Sequence, residues 1–427
     1  MDTTTLAARR ERALGAGAPL FYDKPLHIVR GEGVHLFDET GRRYVDMYNN
    51  VPCVGHANPD VVEAMSRQQA TLNVHSRYLH EKIVALAERI AALHGPAIES
   101  VVFSCSGTEA NEVALRIARG ASGRQGIVCT NATYHGNSEA VGKMTRLGAD
   151  QNSAGDVRAI PFPEKFRPLV PGASEAELCE AYLERLRSAI RSLEDDGVGF
   201  AALIVCPIFA NEGLPDVPKG FMARAAEIVR AAGGYVIADE VQAGYGRTGR
   251  WWGYEGAGFA PDIVVTGKPM GNGLPLAATA ASKALVDGFR ARTRYFNTFA
   301  SSPLQAAVGM AVLDVIERDK LKENVARVGA SLKAALAERM RKCAAIGDVR
   351  GHGLFIGVEM VKDGGNLAPD TDRAVDVVNK LKDRGFLTSN AGAFRNVVKI
   401  RPPLVFQQHD ADEFLTAFDA TIAEING

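Results

Sequence analysis

Two charged residues near the middle of the chain follow separate apolar stretches, and their side-chain types could act together in catalysis. Asp239 ends the stretch 235–239, and Lys268 follows the stretch 263–266. A lysine between an apolar strand and a loop rich in glycine and proline is partly desolvated, which lowers its pKa and makes it a candidate Schiff-base amine. Taken singly, such a lysine is usually a solvated surface charge, and an aspartate after a strand is often only a cap.

A third feature is a candidate anion-binding turn at Ser106, Gly107 and Thr108. It lies between an apolar strand and a helix with an apolar inward face. Backbone N–H groups at a helix start, two hydroxyls and a glycine that permits close approach can hold a phosphate group. The same residues could also cap the helix without binding a ligand.

These three features together fit one cofactor. Pyridoxal phosphate needs a lysine for its aldehyde, a carboxylate at its pyridinium nitrogen and hydrogen-bond donors for its phosphate. Lys268 can supply the lysine, Asp239 the carboxylate, and the turn at 106–108 the donors for the phosphate. The combination therefore predicts a pyridoxal-phosphate site.

The glycines at 244, 246 and 249 match the G-x-G-x-x-G spacing of dinucleotide-binding loops. Their context argues against that interpretation, since no amphipathic helix pattern follows them. The acidic pair Asp239 and Glu240 also precedes the glycines, whereas the fingerprint places its acid about 20 residues beyond them. A nucleotide-dependent oxidoreductase is therefore the disfavoured alternative.

Short apolar runs that alternate with helix patterns must position these residues. They lack the period-2 alternation of half-exposed strands and suit strands covered on both faces, which predicts an α/β fold with a mostly parallel central sheet. The predicted strands are 101–104, 127–130, 202–206, 235–239, 263–266 and 276–280.

The two ends of the chain predict a smaller α+β domain. Residues 34–38 and 43–47 predict a β-hairpin that turns at Gly41, and the C-terminal part mixes helices near 305–340, 372–384 and 410–425 with strands at 354–359 and 397–401. We expect residues 1–54 and 304–427 to form this small domain and residues 55–303 to form the large one. The segment near 150–175 is expected to be a surface excursion.

Composition limits the class of protein. The 427 residues are 46% hydrophobic and 23% charged, with a net charge of -1, so a basic nucleic-acid surface is not expected. No apolar run reaches the roughly 20 residues of a membrane span. The six cysteines show no zinc-site spacing, and we expect reduced thiols in a cytoplasmic protein.

Three blocks resemble the class III (subgroup II) pyridoxal-phosphate aminotransferases of fold type I. They are CSGTEAN at 105–111, DEVQAGYGRTG at 239–249 and GKPMGNGLP at 267–275. The tracts NNVPCVGHANP at 49–59 and NVHSRYLH at 73–80 are similar to the branch that also contains ethanolamine-phosphate phospho-lyases. The resemblance extends over essentially the whole chain.

The resemblance implies a role for each matching residue around the cofactor. Lys268 would carry the cofactor and move the proton, and Asp239 would keep the ring nitrogen protonated. Ser106, Gly107 and Thr108 would bind the phosphate, Tyr134 would stack on the ring, His135 would support the loop or the cofactor, and Gln242 would contact the phenolic oxygen. Thr298 would reach the phosphate of a neighbouring subunit, which implies a homodimer with shared active sites.

The resemblance also assigns a substrate side. Arg401 would grip the carboxylate of an amino acid or 2-oxo acid, since its planar fork suits that anion. Glu212 resembles the acid that pairs with this arginine when an uncharged side chain occupies the pocket, and a structural ion pair is the competing account. Pocket-wall candidates, which could equally be packing residues, are Tyr48, Val51, Arg77 and Tyr78.

The expected function is transfer of an amino group from a primary amine or ω-amino compound to a 2-oxo acid, pyruvate or 2-oxoglutarate, by a ping-pong mechanism. The alternative with the same cofactor is a phospho-lyase that acts on a phosphorylated amino alcohol. A non-catalytic pyridoxal-binding protein is disfavoured because both Lys268 and Asp239 are present. We expect small-molecule substrates and neither nucleic acid nor membrane partners.

Overall fold

The computed structural model describes residues 3–145, 155–362 and 367–426. The strands are β1 (Ile28–Glu32), β2 (His35–Asp38), β3 (Arg43–Asp46), β4 (Ser100–Ser104), β5 (Gly126–Thr130), β6 (Val157–Ile160), β7 (Phe200–Val205), β8 (Tyr235–Asp239), β9 (Ile263–Thr266), β10 (Ala277–Ala281), β11 (Ile346–His352), β12 (Phe355–Met360), β13 (Phe386–Leu387), β14 (Ser389–Ala391) and β15 (Val397–Ile400).

The helices occupy much of the remaining chain. They are α1 (Thr3–Leu14), α2 (Pro59–Thr71), α3 (Glu81–Ala92), α4 (Gly107–Ser122), α5 (Glu139–Gly142), α6 (Glu175–Asp195), α7 (Phe221–Ala231), α8 (Gly253–Ala257), α9 (Lys283–Arg292), α10 (Pro303–Arg318), α11 (Leu321–Met340), α12 (Thr371–Asp383) and α13 (Gln408–Asn426).

The large sheet has the strand order β4-β10-β9-β8-β7-β5-β6. Only β10 runs antiparallel to its neighbours β4 and β9, and the other pairings are parallel. Strands β5, β7, β9 and β10 are buried along their whole length, as expected for apolar runs covered on both faces. The predicted α/β fold with a mostly parallel sheet is confirmed, and all six predicted strands belong to this sheet.

One part of the sequence prediction is wrong at the edge of this sheet. The segment expected to be a surface excursion contains β6, which pairs in parallel with β5 from Val157 to Ile160. Its burial is incomplete, because an edge strand is covered on fewer sides: Val157 and Ile160 are buried, while Arg158, which interrupts the apolar run, and Ala159 are half-buried. Part of the predicted excursion, residues 150–154, lies outside the described residues.

Two four-stranded sheets complete the fold, with orders β1-β2-β3-β13 and β11-β12-β15-β14. The predicted N-terminal hairpin is confirmed as the antiparallel pair β2–β3, and Gly41 adopts a φ of 83° in its turn. The C-terminal strand β13 adds to this sheet in parallel with β3. Both ends of the chain therefore build one sheet, while the domain limits at 54 and 303 stay a prediction.

The parallel strands place their C-terminal ends along one edge of the large sheet. Such an edge is the usual location of ligand sites in open α/β sheets. Asp239 ends β8, Lys268 follows β9, and the first turn of α4 follows β4. No helix in the described ranges is long and apolar enough to cross a membrane.

Candidate active site

A cavity of about 330 Å³ lies at this edge of the large sheet. It is lined by residues at or after the ends of five strands, β4, β5, β7, β8 and β9, and by the segment before β10. Nine predicted site residues line it together: Val51, Ser106, Gly107, Thr108, Tyr134, His135, Asp239, Gln242 and Lys268. The structure thus brings the predicted lysine, the predicted carboxylate and the predicted phosphate turn into one space.

Lys268 lies deep in the protein, but its side chain lines the open cavity and is therefore accessible to solvent. Burial lowers the pKa of Lys268, and the positive charge of Arg401 lowers it further; Asp239 opposes both effects. A lowered pKa leaves a larger fraction of the amine unprotonated, and only the unprotonated amine is nucleophilic. The position therefore suits a lysine that forms a covalent bond with an aldehyde.

Asp239 is buried and fixed by three contacts. Nδ1 of His135 lies 2.6 Å from its Oδ2, and Nδ2 of Asn111 donates to the same oxygen at 3.0 Å. The backbone N–H of Val241 donates to Oδ1 at 3.0 Å. These contacts hold the carboxylate at the cavity wall.

The phosphate turn is the N-terminus of α4. Ser106 is the N-cap, and its hydroxyl accepts a hydrogen bond from the N–H of Glu109 at 3.2 Å. The first N–H groups of a helix have no acceptor within the helix, so Gly107 and Thr108 present free donors and the positive end of the helix dipole. Capping and anion binding, the two alternatives from the sequence, are therefore compatible here.

Glycines keep this turn open to a ligand. A Cβ added at Gly107 would lie 3.0 Å from Val241, and one at Gly136 would lie 2.4 Å from the Thr108 hydroxyl. A Cβ at Gly267 would lie 3.4 Å from the backbone of Gly107. Three segments thus pack closely around the start of α4, and a side chain at Gly136 in particular would collide with Thr108.

Arg401 is buried beside the cavity and contacts two predicted residues. Its Nε and Nη2 donate to the backbone oxygen of Tyr48 at 2.9 and 2.8 Å, and its Nη1 donates to Oε1 of Gln242. Burial lowers the pKa of Arg401. Since Gln242 lines the cavity, Arg401 lies one side chain behind the cavity wall.

The expected pairing between Glu212 and Arg401 is absent in the described part of the chain, and so is the alternative structural ion pair. Thr130 Oγ1 instead donates to Oε1 of Glu212 at 2.5 Å, and Oε2 of Glu212 has no partner. The loop after β7 turns sharply, with positive φ angles at Phe209 and Leu214. This turn directs Glu212 toward β5, where burial raises its pKa.

The remaining predicted residues lie outside the cavity of this chain. The Tyr48 ring lies 5.2 Å from the Arg401 guanidinium, the guanidinium of Arg77 covers the Phe296 ring at 4.1 Å, and Tyr78 stacks on His75 at 5.4 Å. Thr298 is exposed. The substrate and neighbouring-subunit roles of these residues stay predictions.

Comparison with known proteins decides the family. The sequence model of the family described as "Aminotransferase class-III" matches residues 21–422. The chain belongs to the class-III aminotransferases.

Two curated relatives cover 98% of this class-III aminotransferase chain. "Alanine--glyoxylate aminotransferase 2-like" of Drosophila melanogaster is 35% identical, with 87% of its own length covered. "Ethanolamine-phosphate phospho-lyase homolog 1" of Caenorhabditis elegans is 34% identical, with 93% covered. The family thus includes relatives named for amino transfer and for phosphate elimination.

Solved structures show the same division. A phospholyase from Arthrobacter, in complex with phosphoethanolamine, is 38% identical with a TM-score of 0.94, and the match covers 98% of this chain and 99% of that one. An amine transaminase from an uncultivated Pseudomonas species, in its PLP-bound form, is 27% identical with a TM-score of 0.86 over 94% and 95% of the two chains. The cofactor of this class-III aminotransferase is pyridoxal phosphate. The open turn at the start of α4 and the lowered pKa of Lys268 fit this cofactor.

Two polar residues of this class-III aminotransferase site received no role in the sequence analysis. Asn111 bridges Asp239 and the backbone oxygen of His135, and Asn211 accepts from Nε2 of Gln242 at 3.1 Å. Asn111 is an amide on the otherwise apolar inward face of α4, and that pattern could have revealed it. The contact between Asn211 and Gln242 joins two loops that are distant in sequence, so no local sequence pattern predicts it.

Proposed function

We propose that this class-III aminotransferase moves an amino group from a primary amine or ω-amino compound to a 2-oxo acid, pyruvate or 2-oxoglutarate, in two half-reactions. The proposal is carried by one observation: Lys268, Asp239 and the N-terminus of α4 line a single cavity. Arg401, buried behind Gln242, supplies a guanidinium that could bind the carboxylate of the oxo acid.

Each residue then has a defined task. Pyridoxal phosphate, when bound, supplies an electron sink for the bond that breaks at the amine carbon. The amine of Lys268 would hold the cofactor and would carry the proton between two carbon atoms when a substrate amine is bound. Asp239 would keep a proton at the ring nitrogen, and the N–H groups of Gly107 and Thr108 would bind the phosphate.

A second candidate is elimination of phosphate from a phosphorylated amino alcohol. It is supported by the similarity to the Arthrobacter phospholyase and by the position of Glu212. Within the described residues Glu212 forms no ion pair with Arg401, so the positive charge of Arg401 is available to an anionic substrate. Both reactions use Lys268 to remove a proton, and they differ in whether phosphate leaves afterwards.

We also propose a cytoplasmic homodimer whose subunits share active sites. Thr298 would contribute to the neighbouring site, as the resemblance implies. Three large apolar or aromatic side chains are unusually exposed. They are Phe299, which follows Thr298, at 71%, and the neighbouring pair Tyr78 at 64% and Leu79 at 101%. Exposed apolar groups of this kind mark protein interfaces, which supports the dimer.

Half-reactions test the proposed function. The holo-protein would be mixed with aliphatic amines, amino acids and phosphorylated amino alcohols, and both the cofactor absorbance and phosphate release would be recorded without any 2-oxo acid. We expect conversion of the cofactor to its amine form, which a 2-oxo acid reverses; phosphate release without the oxo acid would select the second candidate.

Matched variants keep this experiment interpretable. Lys268→Ala should abolish conversion, whereas Lys283→Ala, which removes a surface lysine of α9 with a side chain 66% exposed, should leave it unchanged. If Lys268→Ala converts amines at the wild-type rate, the proposed function is wrong. The same holds if the wild-type protein converts none of the three amine classes.

A further inference from the structure

Glu212 is a buried carboxylate that does not line the cavity. The residue is 2% exposed, and its Oε1 accepts a hydrogen bond from Thr130 at 2.5 Å. Within the described residues its Oε2 has no hydrogen-bond partner. A buried carboxylate with an unused acceptor is costly unless neighbouring groups compensate it. The groups around Glu212 therefore indicate what it acts on.

Thr133 and His135 are the groups through which Glu212 can act on the cavity wall. Burial raises the pKa of Glu212, and the hydroxyl of Thr130 opposes this effect. His135 and the hydroxyl of Thr133 also oppose the rise of this pKa, so both lie within electrostatic reach of the carboxylate. The loop after β7 thus faces the loop after β5.

The same two residues lead from Glu212 to Asp239. Oγ1 of Thr133 lies 3.0 Å from Nε2 of His135, and Nδ1 of His135 lies 2.6 Å from Oδ2 of Asp239. All four side chains are buried. Glu212, Thr133, His135 and Asp239 therefore form a polar relay, with a carboxylate at each end and an imidazole between them.

The Thr133 hydroxyl has a single proton, which it can donate to only one neighbour. Nδ1 of His135 donates to Asp239, because an ionised carboxylate can only accept. If Thr133 donates to Nε2, that nitrogen carries no proton and the imidazole is neutral. If Nε2 instead donates to Thr133, the hydroxyl proton is free for Glu212, and the imidazole is a cation. The charge of His135 therefore depends on whether Glu212 accepts.

We propose that Glu212, acting through Thr133, sets the charge of His135, so that the imidazole carries a proton on each nitrogen while Glu212 is ionised. Two carboxylates favour this cation, since a nearby opposite charge stabilises the charged form of a group. A cationic His135 offsets part of the charge of Asp239, which then holds a proton at the cofactor ring less tightly. Glu212 is thus a positioning residue for Asp239 and not a substrate contact.

Other titratable groups near the relay are Cys206, Lys268 and Glu240. Burial raises the pKa of the Cys206 thiol well above its usual range, which keeps it neutral. Lys268 acts on the cavity side of Asp239. Burial raises the pKa of Glu240 to about 8, and both of its carboxylate oxygens accept from backbone N–H groups of α8. In the described ranges none of these three groups forms a hydrogen bond with His135.

Nitrogen NMR of protein labelled with ¹⁵N-histidine reads the charge of His135, because ring nitrogens with and without a proton give well-separated signals. The signals of His135 are assigned from their loss in His135→Gln. The variants are Glu212→Gln, Thr133→Val and Thr133→Ser, and Glu139→Gln on the exposed side of α5 is the control. Spectra would be recorded near neutral pH on holo-protein and on cofactor-free protein, without any substrate.

We expect both nitrogens of His135 to carry a proton in the wild type, in Thr133→Ser and in Glu139→Gln. In Glu212→Gln and Thr133→Val, Nε2 should carry none, because the first variant lacks the charge and the second lacks the hydroxyl. A wild-type Nε2 without a proton, or a doubly protonated His135 in Glu212→Gln, would overturn the proposal. Thr133→Ser keeps the hydroxyl, so a loss of the proton there would also contradict it.

The effect on the cofactor is read from pyridoxal phosphate labelled with ¹⁵N at its ring nitrogen. The pH at which this nitrogen loses its proton should rise by roughly one unit in Glu212→Gln, since Asp239 then keeps its full negative charge. This part rests on the proposed function, which places Asp239 at the ring. A ring nitrogen that does not respond, while His135 does, would contradict that role of Asp239 and leave the coupling of Glu212 to His135 supported.

Discussion

Nδ1 of His135 and Oδ2 of Asp239 lie 2.6 Å apart in the buried wall of the cavity. The other ring nitrogen of His135 lies 3.0 Å from the hydroxyl of Thr133, so both sides of the imidazole are engaged. Asn111 joins the two residues by donating to Asp239 Oδ2 and to the backbone oxygen of His135. His135 is therefore a positioning residue for the carboxylate on which the proposed chemistry depends.

Asp239→Asn should reduce amine conversion by about 10²-fold or more, the usual size of a proton-transfer contribution. The amide keeps the size of the side chain but cannot hold a proton at the ring nitrogen by its charge. Stopped-flow half-reactions measure the effect, with Asp287→Asn on the exposed side of α9 as the control. A variant within threefold of wild type would remove Asp239 from the proposed mechanism.

Gly136→Ala should weaken cofactor binding, because its Cβ would lie 2.4 Å from the Thr108 hydroxyl and its φ of 144° disfavours a side chain. Thr108 would be displaced from the start of α4, where the phosphate is expected. Gly142→Ala is the matched control, since its Cβ meets nothing closer than 4.0 Å. Equilibrium dialysis of pyridoxal phosphate should show a loss for the first variant only, and equal affinities would place the phosphate elsewhere.

Arg401→Gln should raise the pH at which Lys268 reacts with the cofactor. Burial is the main reason that the pKa of Lys268 is lowered, and the positive charge of Arg401 is the next. Removing a positive neighbour favours the protonated amine, so the pKa rises and a higher pH is needed for the nucleophilic form.

The measurement is the rate of cofactor attachment to cofactor-free protein across a pH series. Arg401→Lys keeps the charge, so its profile should coincide with that of the wild type. A profile of Arg401→Gln that moves to lower pH would show that Arg401 does not act on Lys268 through its charge.

Two helical glycines should respond in opposite directions to the same substitution. In α9, Gly288→Ala should stabilise the fold by about 1 kcal/mol, because its Cβ meets only the flexible end of Arg292 at 3.3 Å. In α11, Gly329→Ala should destabilise it by about 1–3 kcal/mol, since the Cβ would lie 2.2 Å from the backbone oxygen of Gly353. A thermal unfolding midpoint that rises for Gly329→Ala would contradict the close contact of α11 with Gly353, and one that falls for Gly288→Ala would contradict the space beside α9.

The sequence predicted the features that depend on local pattern. Asp239, Lys268 and the turn at 106–108 each follow an apolar run, and parallel strands bring the ends of such runs to one edge. The edge strand β6 was missed because Arg158 interrupts its apolar run.

Contacts between distant segments could not be predicted from the sequence. Arg401 meets Gln242 across the fold, and Glu212 turns toward Thr130 because of the backbone angles of its loop. No short sequence motif encodes the orientation of either side chain. The proposed role of Thr298 depends on a second subunit.

The proposed chemistry depends on a covalent bond between Lys268 and pyridoxal phosphate. Reduction of the holo-protein with borohydride, followed by proteolysis and mass spectrometry, identifies the lysine that bears the cofactor. We expect the added pyridoxyl mass on the peptide that contains Lys268, and no such mass in Lys268→Ala. A pyridoxyl group on another lysine, with Lys268 unmodified, would contradict it.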